Sequence, residues 1–320
     1  MSLIIVLVLS CTALAAAIAW GGPRPIAPLT SINNPFQGVD FSAVPPAQRF
    51  SARDGTLMAW YAYPASAAAS QASAKDLGRV VLVHGSSSRA RSIHVLAQAL
   101  AAEGYQVAAL DMRGHGESGA RGQAAYIGQM EDDVEDFMTA VPHAGPQTLM
   151  GFSAGGGFAL RLAGSARQAL FDRYVLLSPF LHQDAPTARP DNGGWASIGL
   201  PRIVGLALLN RFGVTRWNHL PVVQFALDAQ ARAFLTPSYS YTVAMNFRPH
   251  DDYQNDIRNA RQPLCIVAGL DDELFDAQGF APLFEQAGRK VPVTLVPGTN
   301  HMGLTLQPAA VQAVARACRA

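Results

Sequence analysis

Four short runs with almost no polar residue set the strongest constraint on this chain. They are "RVVLVHG" from Arg79, "YQVAALD" from Tyr105, "QTLMGF" from Gln147 and "RYVLLSPF" from Arg173. Each is too short for a buried helix, and each is apolar on both faces, as a strand covered from two sides must be. Helical patterns separate them: "SIHVLAQALAAEG", "YIGQMEDDVEDFMTAV" and "SAGGGFALRLAG". Strand and helix in alternation imply a mostly parallel sheet flanked by helices. The rhythm lapses between about 181 and 250, then returns with "PLCIVAGLDD", "FAPLFEQAG", "VPVTLVPG" and "PAAVQAVARAC". Within the lapse, "GLPRIVGLALLNRFG" and "LPVVQFALDAQARAFL" predict two apolar helices with no strand between them. The expected architecture is an α/β domain over 47–320 carrying a helical cap insertion at about 181–250.

Ahead of the alternation, "QRFSARDGTLMAWYAYP" predicts a hairpin turning at Asp54-Gly55. An Ala/Ser-rich loop follows at 64–78. Residues 23–46 hold Pro23, Pro25, Pro28, Pro35, Pro45 and Pro46, which reads as a tether or a segment lying on the domain surface. The uncharged run "SLIIVLVLSCTALAAAIAW", Ser2 to Trp20, approaches the roughly 20 residues that span a bilayer core. Residues 1–22 are therefore expected to be a membrane anchor, or else a signal segment cleaved after "AIA". The first reading makes the protein membrane-anchored by a single N-terminal helix, the second an exported one.

Composition narrows the function. Lys and Arg total 24 against 23 acidic residues, for a net charge of +1, and no basic run exists that would track a nucleic-acid backbone. Cys11, Cys265 and Cys318 lie far apart and form no ligand spacing. No phosphate-binding glycine loop appears, so no metal and no cofactor are implied.

The chemistry-bearing signals fall at the carboxyl ends of the predicted strands, where α/β sheets bind ligands. "GFSAG" places Ser153 between Gly151 and Gly155 after a strand and before a helix. Without Cβ atoms at those glycines the backbone bends sharply and lifts the hydroxyl. A serine needs a hydrogen-bonded base. Of eight histidines, His301 in "VPGTNHMGL" follows the last strand and lies downstream of the carboxylates in "GLDDELF". Spacing from Gly269 favours Asp272 over Asp271 as the group that holds the imidazole. Charge developing on a substrate carbonyl requires fixed donors. The backbone N–H of Ala154 and that of Ser86, in "VHGSSS", are the candidates.

Together "VLVHG", "DMRGHGESG", "GFSAGGG", "GLDDELFD" and "GTNHMGL" resemble the α/β-hydrolase family, closest to its serine aminopeptidase S33-like and monoacylglycerol lipase (lysophospholipase) branch. The resemblance runs from about Arg49 to Ala320. It implies a Ser153–Asp272–His301 triad and an oxyanion loop at the HG pair, with Arg113 and His115 bracing the site region. The chain departs from the family pattern in the extra Gly157 and in a cap without a recognisable substrate motif. The implied activity is hydrolysis of a small-molecule or lipid ester through an acyl-enzyme. The alternatives are an aminopeptidase-like amide or thioester hydrolase, or an acyltransferase using the same triad. An aminopeptidase needs cap carboxylates for a free amine, and Asp184, Asp191, Asp228, Asp251 and Asp252 are available.

Overall fold

The structure, a computed structural model, describes residues 3–66 and 77–319. Most of the expected Ala/Ser-rich loop at 64–78 lies outside the described residues. Eight strands form one sheet: β1 (Ala47–Ser51), β2 (Leu57–Tyr63), β3 (Arg79–Val83), β4 (Gln106–Leu110), β5 (Gln147–Phe152), β6 (Arg173–Leu177), β10 (Leu264–Gly269) and β11 (Val293–Val296). Their order is β1-β2-β4-β3-β5-β6-β10-β11. β1 pairs antiparallel with β2, and β2 antiparallel with β4. All pairings from β4 to β11 are parallel. The β1–β2 hairpin turns at Gly55, whose φ of 81° is the left-handed conformation expected there.

The continuous apolar runs become the central strands. Val80, Val81, Leu82 and Val83 are fully buried, as are Leu149 and Met150 of β5 and Tyr174 to Leu177 of β6. Each large aliphatic side chain withdrawn from water contributes about 1.5–3 kcal/mol before entropic costs. The Ala154–Ala163 helix is buried along its whole length, and the amphipathic Gln129–Ala140 helix turns Met130, Val134 and Phe137 inward.

The segment between β6 and β10 differs from the all-helical expectation. The first apolar stretch does form a helix, Leu200–Arg211. The second opens as strand β8 (Pro221–Phe225), paired antiparallel on both sides with β7 (Ala196–Ile198) and β9 (Ser238–Ser240), and only Ala229–Arg232 is helical. Pro221 has no N–H to give a helix, and the β-branched pair Val222–Val223 suits a pleated surface. Asp228 then caps the short helix, accepting from Ala231 N at 2.7 Å.

The N-terminal expectation is corrected. No helix among the described residues is long and apolar enough to cross a membrane, so the reading as a membrane anchor fails. The apolar run forms a helix of 18 residues, Leu3–Trp20, about 27 Å at 1.5 Å per residue, against a hydrocarbon core of about 30 Å. Its carboxyl end is also committed to protein. The Arg202 guanidinium donates to the carbonyls of Ile18 at 2.7 Å and Ala19 at 2.8 Å. Gly205 packs so closely on this helix that a Cβ there would stand 2.9 Å from Ile18 Cγ1. The proline-rich segment likewise lies on the molecule: Leu29 N and Asn33 Nδ2 both donate to Ala226 O at 2.9 Å.

Gly157, which departed from the family pattern, has a local reason. A Cβ there would sit 2.1 Å from the carbonyl oxygen of Phe180 and 2.7 Å from Pro249 Cδ. Gly157→Ala is therefore expected to cost at least about 1–3 kcal/mol, the usual range for overpacking a tight interior. Urea unfolding checks this, and an unchanged midpoint would contradict the close packing.

Candidate active site

β5 ends at Phe152 and the next helix begins at Ala154, leaving Ser153 alone to make the turn. Its φ of 56° and ψ of −117° lie where L-residues are strained. The crossing is possible because backbone atoms fill the places where side chains would begin. A Cβ on Gly151 would stand 2.0 Å from Gly155 O, and one on Gly155 would stand 2.4 Å from His84 O. Ser153 N donates to Leu177 O at 2.8 Å, while Ser153 O accepts from Gly157 N at 3.1 Å and Phe180 N at 3.0 Å. These bonds hold the strained residue from both sides.

β10 delivers the carboxylates and the loop after β11 delivers the imidazole. Asp272 Oδ2 accepts from His301 Nδ1 at 2.8 Å, and both side chains are buried. Asp271 is exposed, so the structure brings Asp272 rather than Asp271 against the ring. The other oxygen, Oδ1, accepts from Leu274 N at 2.9 Å and Phe275 N at 3.0 Å. Burial works against the charge on Asp272, yet the neighbouring imidazole and these donors hold its carboxyl below the ordinary carboxylate range. With Nδ1 donating to a carboxylate, Nε2 is left as the ring's proton acceptor. The ring lies against Phe152, with centroids 4.7 Å apart, and against Phe275 at 5.3 Å. Ser153 and His301 thus flank Phe152, though their side chains are not hydrogen-bonded to each other.

The loop after β3 passes directly over the elbow. A Cβ on Gly85 would lie 3.3 Å from Ser153 Cβ and 3.2 Å from Phe152 Cδ1, so the loop that carries Ser86 packs against the elbow. Ser86 Oγ accepts from Trp195 Nε1 at 2.9 Å. Ser87 is tied three ways to the segment between β6 and β10. Its N donates to Tyr239 Oη at 2.5 Å, its Oγ donates to Thr236 O at 2.7 Å, and its O accepts from Thr236 N at 2.8 Å.

Beneath this loop lie two fully buried histidines. His84 Nδ1 donates to Gly85 O at 2.7 Å, and its Nε2 accepts from Met112 N at 3.2 Å. His115 Nδ1 donates to Arg113 O at 3.0 Å, so its Nε2 accepts from Tyr239 Oη at 2.6 Å. Burial keeps both rings neutral: His84 titrates well below its ordinary value, and His115 is pushed down to about 4. Arg113 fills the bracing part expected of it, forking onto Asp133 at 2.7 and 2.6 Å and reaching Asp54 at 3.0 Å. Tyr239, Trp195 and Glu273, which accepts from His301 N at 3.0 Å, escaped the sequence reading. Glu273 adjoins the aspartate pair and was within reach of it, whereas nothing marked Tyr239 or Trp195.

A family model described as "Serine aminopeptidase, S33" matches residues 74–305. The chain belongs to that family. In fold it is an α/β hydrolase, as the eight-stranded sheet and its structural neighbours agree. A monoacylglycerol lipase of Mycolicibacterium smegmatis is 42% identical over 86 residues, a match covering 25% of this chain and 30% of that relative's length. Two solved structures share the fold. The monoglyceride lipase of Saccharomyces cerevisiae, a soluble variant with a substrate analogue, has a TM-score of 0.65 at 20% identity, covering 88% of this chain and 96% of its own. The monoacylglycerol lipase of Paleococcus ferrophilus has a TM-score of 0.57 at 18% identity, covering 81% and 98%.

The buried histidines make stability pH-dependent with a defined sign. The unfolded chain protonates His115 near 6.5, whereas the folded chain resists until about 4. Between those values the unfolded state binds more protons, so stability falls as pH drops. His115 alone accounts for about 3 kcal/mol across that interval at 1.36 kcal/mol per pH decade. The urea midpoint is expected to decline steadily from pH 6.5 to 4.5, and less steeply in His115→Asn. Equal slopes in the two proteins would remove His115 from the explanation.

Proposed function

We propose that this protein is a serine hydrolase that cleaves lipid-like carboxylic esters, of monoacylglycerol or lysophospholipid type, through an acyl-enzyme. The observation that carries the reading is the buried Asp272–His301 hydrogen bond, set beside a serine held at positive φ on a glycine-lined elbow. In this reading Ser153 Oγ attacks the ester carbonyl while His301 Nε2 takes its proton, and Asp272 stabilises the imidazolium through Nδ1. The amides of Ser86 and Ala154 receive the negative oxygen. His301 then returns the proton to the departing alkoxide, leaving the acyl group on Ser153. Water, deprotonated by the same nitrogen, releases the acid.

The domain organisation follows the same reading, with residues 47–320 as the hydrolase domain and about 181–250 as its cap. The lipid-like substrate class rests on two supports. The relatives named above are monoacylglycerol lipases, and the Leu200–Arg211 helix with Phe212 presents Leu200, Val204, Leu208 and Phe212 to solvent in one row, an apolar surface suited to acyl chains. The carboxylates an amine-binding site would need are otherwise engaged or fully exposed. Asp228 and Asp252 cap helices, Asp251 pairs with Arg248, and Asp184 lies in solvent. The side chain of Asp191 lies outside the described residues.

Ser153→Ala is expected to lower kcat for p-nitrophenyl esters by about 10⁴-fold or more and to abolish labelling by a fluorophosphonate. Asp272→Asn, which favours the wrong imidazole tautomer, is expected to cost about 10³–10⁴-fold with the fold retained. An acyl series on p-nitrophenyl esters should show kcat/KM rising beyond short chains. Undiminished turnover in Ser153→Ala would end the proposal, and a maximum at acetate would end its lipid part.

A further inference from the structure

A cavity of about 360 Å³ lies apart from Ser153, Asp272 and His301. Its walls come from the proline-rich segment (Ile32, Phe36, Phe41), from the loop after β3 (Arg89, Arg91) and from the Ala229–Arg232 region (Phe234). The volume falls in the range of about 300–1,000 Å³ common for small-molecule sites.

The two arginines set this cavity apart from the other buried charge in the molecule. Neither guanidinium has a hydrogen bond or ion pair with a side chain among the described residues, and Arg91 Nε is buried with no partner. Arg89 lies over the ring of Phe234, its guanidinium carbon 4.6 Å from the centroid. That contact supports the flat face of the guanidinium and leaves its N–H edge free. Burial and the nearby Arg91 both lower the pKa of Arg89, and Asp111 offsets them only in part. The oxygens of Asp111 are occupied, one by Ala90 N at 2.7 Å and one by Glu117 N at 2.8 Å. Asp228, on the cavity wall, accepts through Oδ1 from the helix it caps. The cavity therefore joins two half-buried planar cations to an apolar patch formed by Ile32, Phe36, Phe41 and Phe234, with Asn33, Gln37 and Asp228 on the same wall. Planar N–H forks of this kind match the oxygens of a carboxylate or phosphate.

We propose that this cavity binds a single-chain amphiphilic anion, its carboxylate or phosphate head on Arg89 and Arg91 and its apolar chain against Phe36, Phe41 and Phe234. A fatty acid and an alkyl phosphate share that chemistry. The site does not depend on the ester-hydrolase reading, because it contains none of the residues that reading uses.

Calorimetric titration of the full chain with decanoate, decyl phosphate and decanol, each below its micelle concentration, tests the proposal. At least one anion is expected to bind roughly tenfold or more tightly than decanol, in keeping with charge-assisted hydrogen bonds, and the stronger anion identifies the head group. Binding is expected to persist when Ser153 carries a phosphonyl group. It should weaken at least tenfold in the Arg89→Met, Arg91→Met double variant and return in the corresponding lysine pair. Hydrolysis of p-nitrophenyl butyrate should change less than twofold in the double variant. If that variant does not fold, Arg91→Gln alone carries the same expectation. Equal binding of decanol, undiminished binding in the arginine variants or loss of binding on phosphonylation would each overturn the site. Failure of Ser153 to accept the phosphonyl group would count against the hydrolase reading alone.

Discussion

At the elbow, carbonyl oxygens stand where side chains would start: Gly155 O against Gly151, His84 O against Gly155, and Phe180 O against Gly157. Those approaches, all 2.0–2.4 Å from an ideal Cβ, allow β5, the helix after it and the neighbouring loops to converge on Ser153. Everything else at the site is referred to that point. β3 enters at the depth that lays Gly85 against Ser153, β6 supplies the carbonyl that holds Ser153 N, and β10 places Asp272 at the same sheet edge. The strain at Ser153 persists because three backbone hydrogen bonds and a fully buried helix over-determine its position.

The loop over the elbow has no regular secondary structure to fix it, and its position is set from outside. Three residues from the segment between β6 and β10, Trp195, Thr236 and Tyr239, bind Ser86 and Ser87 directly. Tyr239 is itself held by His115, which is held in turn by the backbone of Arg113. A tyrosine that both donates to a neutral histidine and accepts from a backbone amide transmits the position of that segment to the loop. Burial keeps both histidines uncharged, so the chain of bonds runs in one direction, from the Tyr239 hydroxyl to the imidazole acceptor. The position of this segment and the geometry of the loop above Ser153 are therefore tied together.

How much of this could be read from the amino acids depends on the range over which each signal acts. Gly151-x-Ser153-x-Gly155 was legible because strand, strained residue and helix are contiguous. Asp272 and His301 were legible because each lies in the loop that follows a strand of the same sheet, and such a loop starts from a point that the sheet sets. β8 was misjudged because Val222, Val223 and Phe225 fit an apolar helix as well as a strand, and the choice is made by pairing with β7 and β9. The Leu3–Trp20 helix shows the same limit. Its uncharged run suggested a membrane span, yet the helix is not long and apolar enough to be one, and its end is claimed by Arg202 and by a close approach at Gly205, partners some 180 residues away in the chain. Tyr239 carried no mark at all, because its role exists only through contacts with Ser87 and His115.

The treatment of buried charge separates the structural parts of the molecule from the parts that meet ligands. Arg113 is enclosed and answered by two carboxylates, Asp133 and Asp54; Arg161 is enclosed and answered by Glu131. In both cases removing one partner would strand an ion away from water, a cost of several kcal/mol, about 3–5 in measured cases. Those pairs hold the Gln129–Ala140 helix to its neighbours and need nothing from outside. Asp272 is answered in part by protein and in part by an imidazole whose charge changes during a proton transfer, which leaves one side of the pair open to chemistry. Arg89 and Arg91 form the third case, half-buried cations answered by an aromatic face and by each other's repulsion. Elsewhere the enclosed arginines find acceptors within the protein, Arg113 and Arg161 in carboxylates and Arg79 in the oxygens of Val141 and Gln147, whereas Arg89 and Arg91 have none among the described residues, and that contrast supports reading the cavity beside them as more than a packing gap.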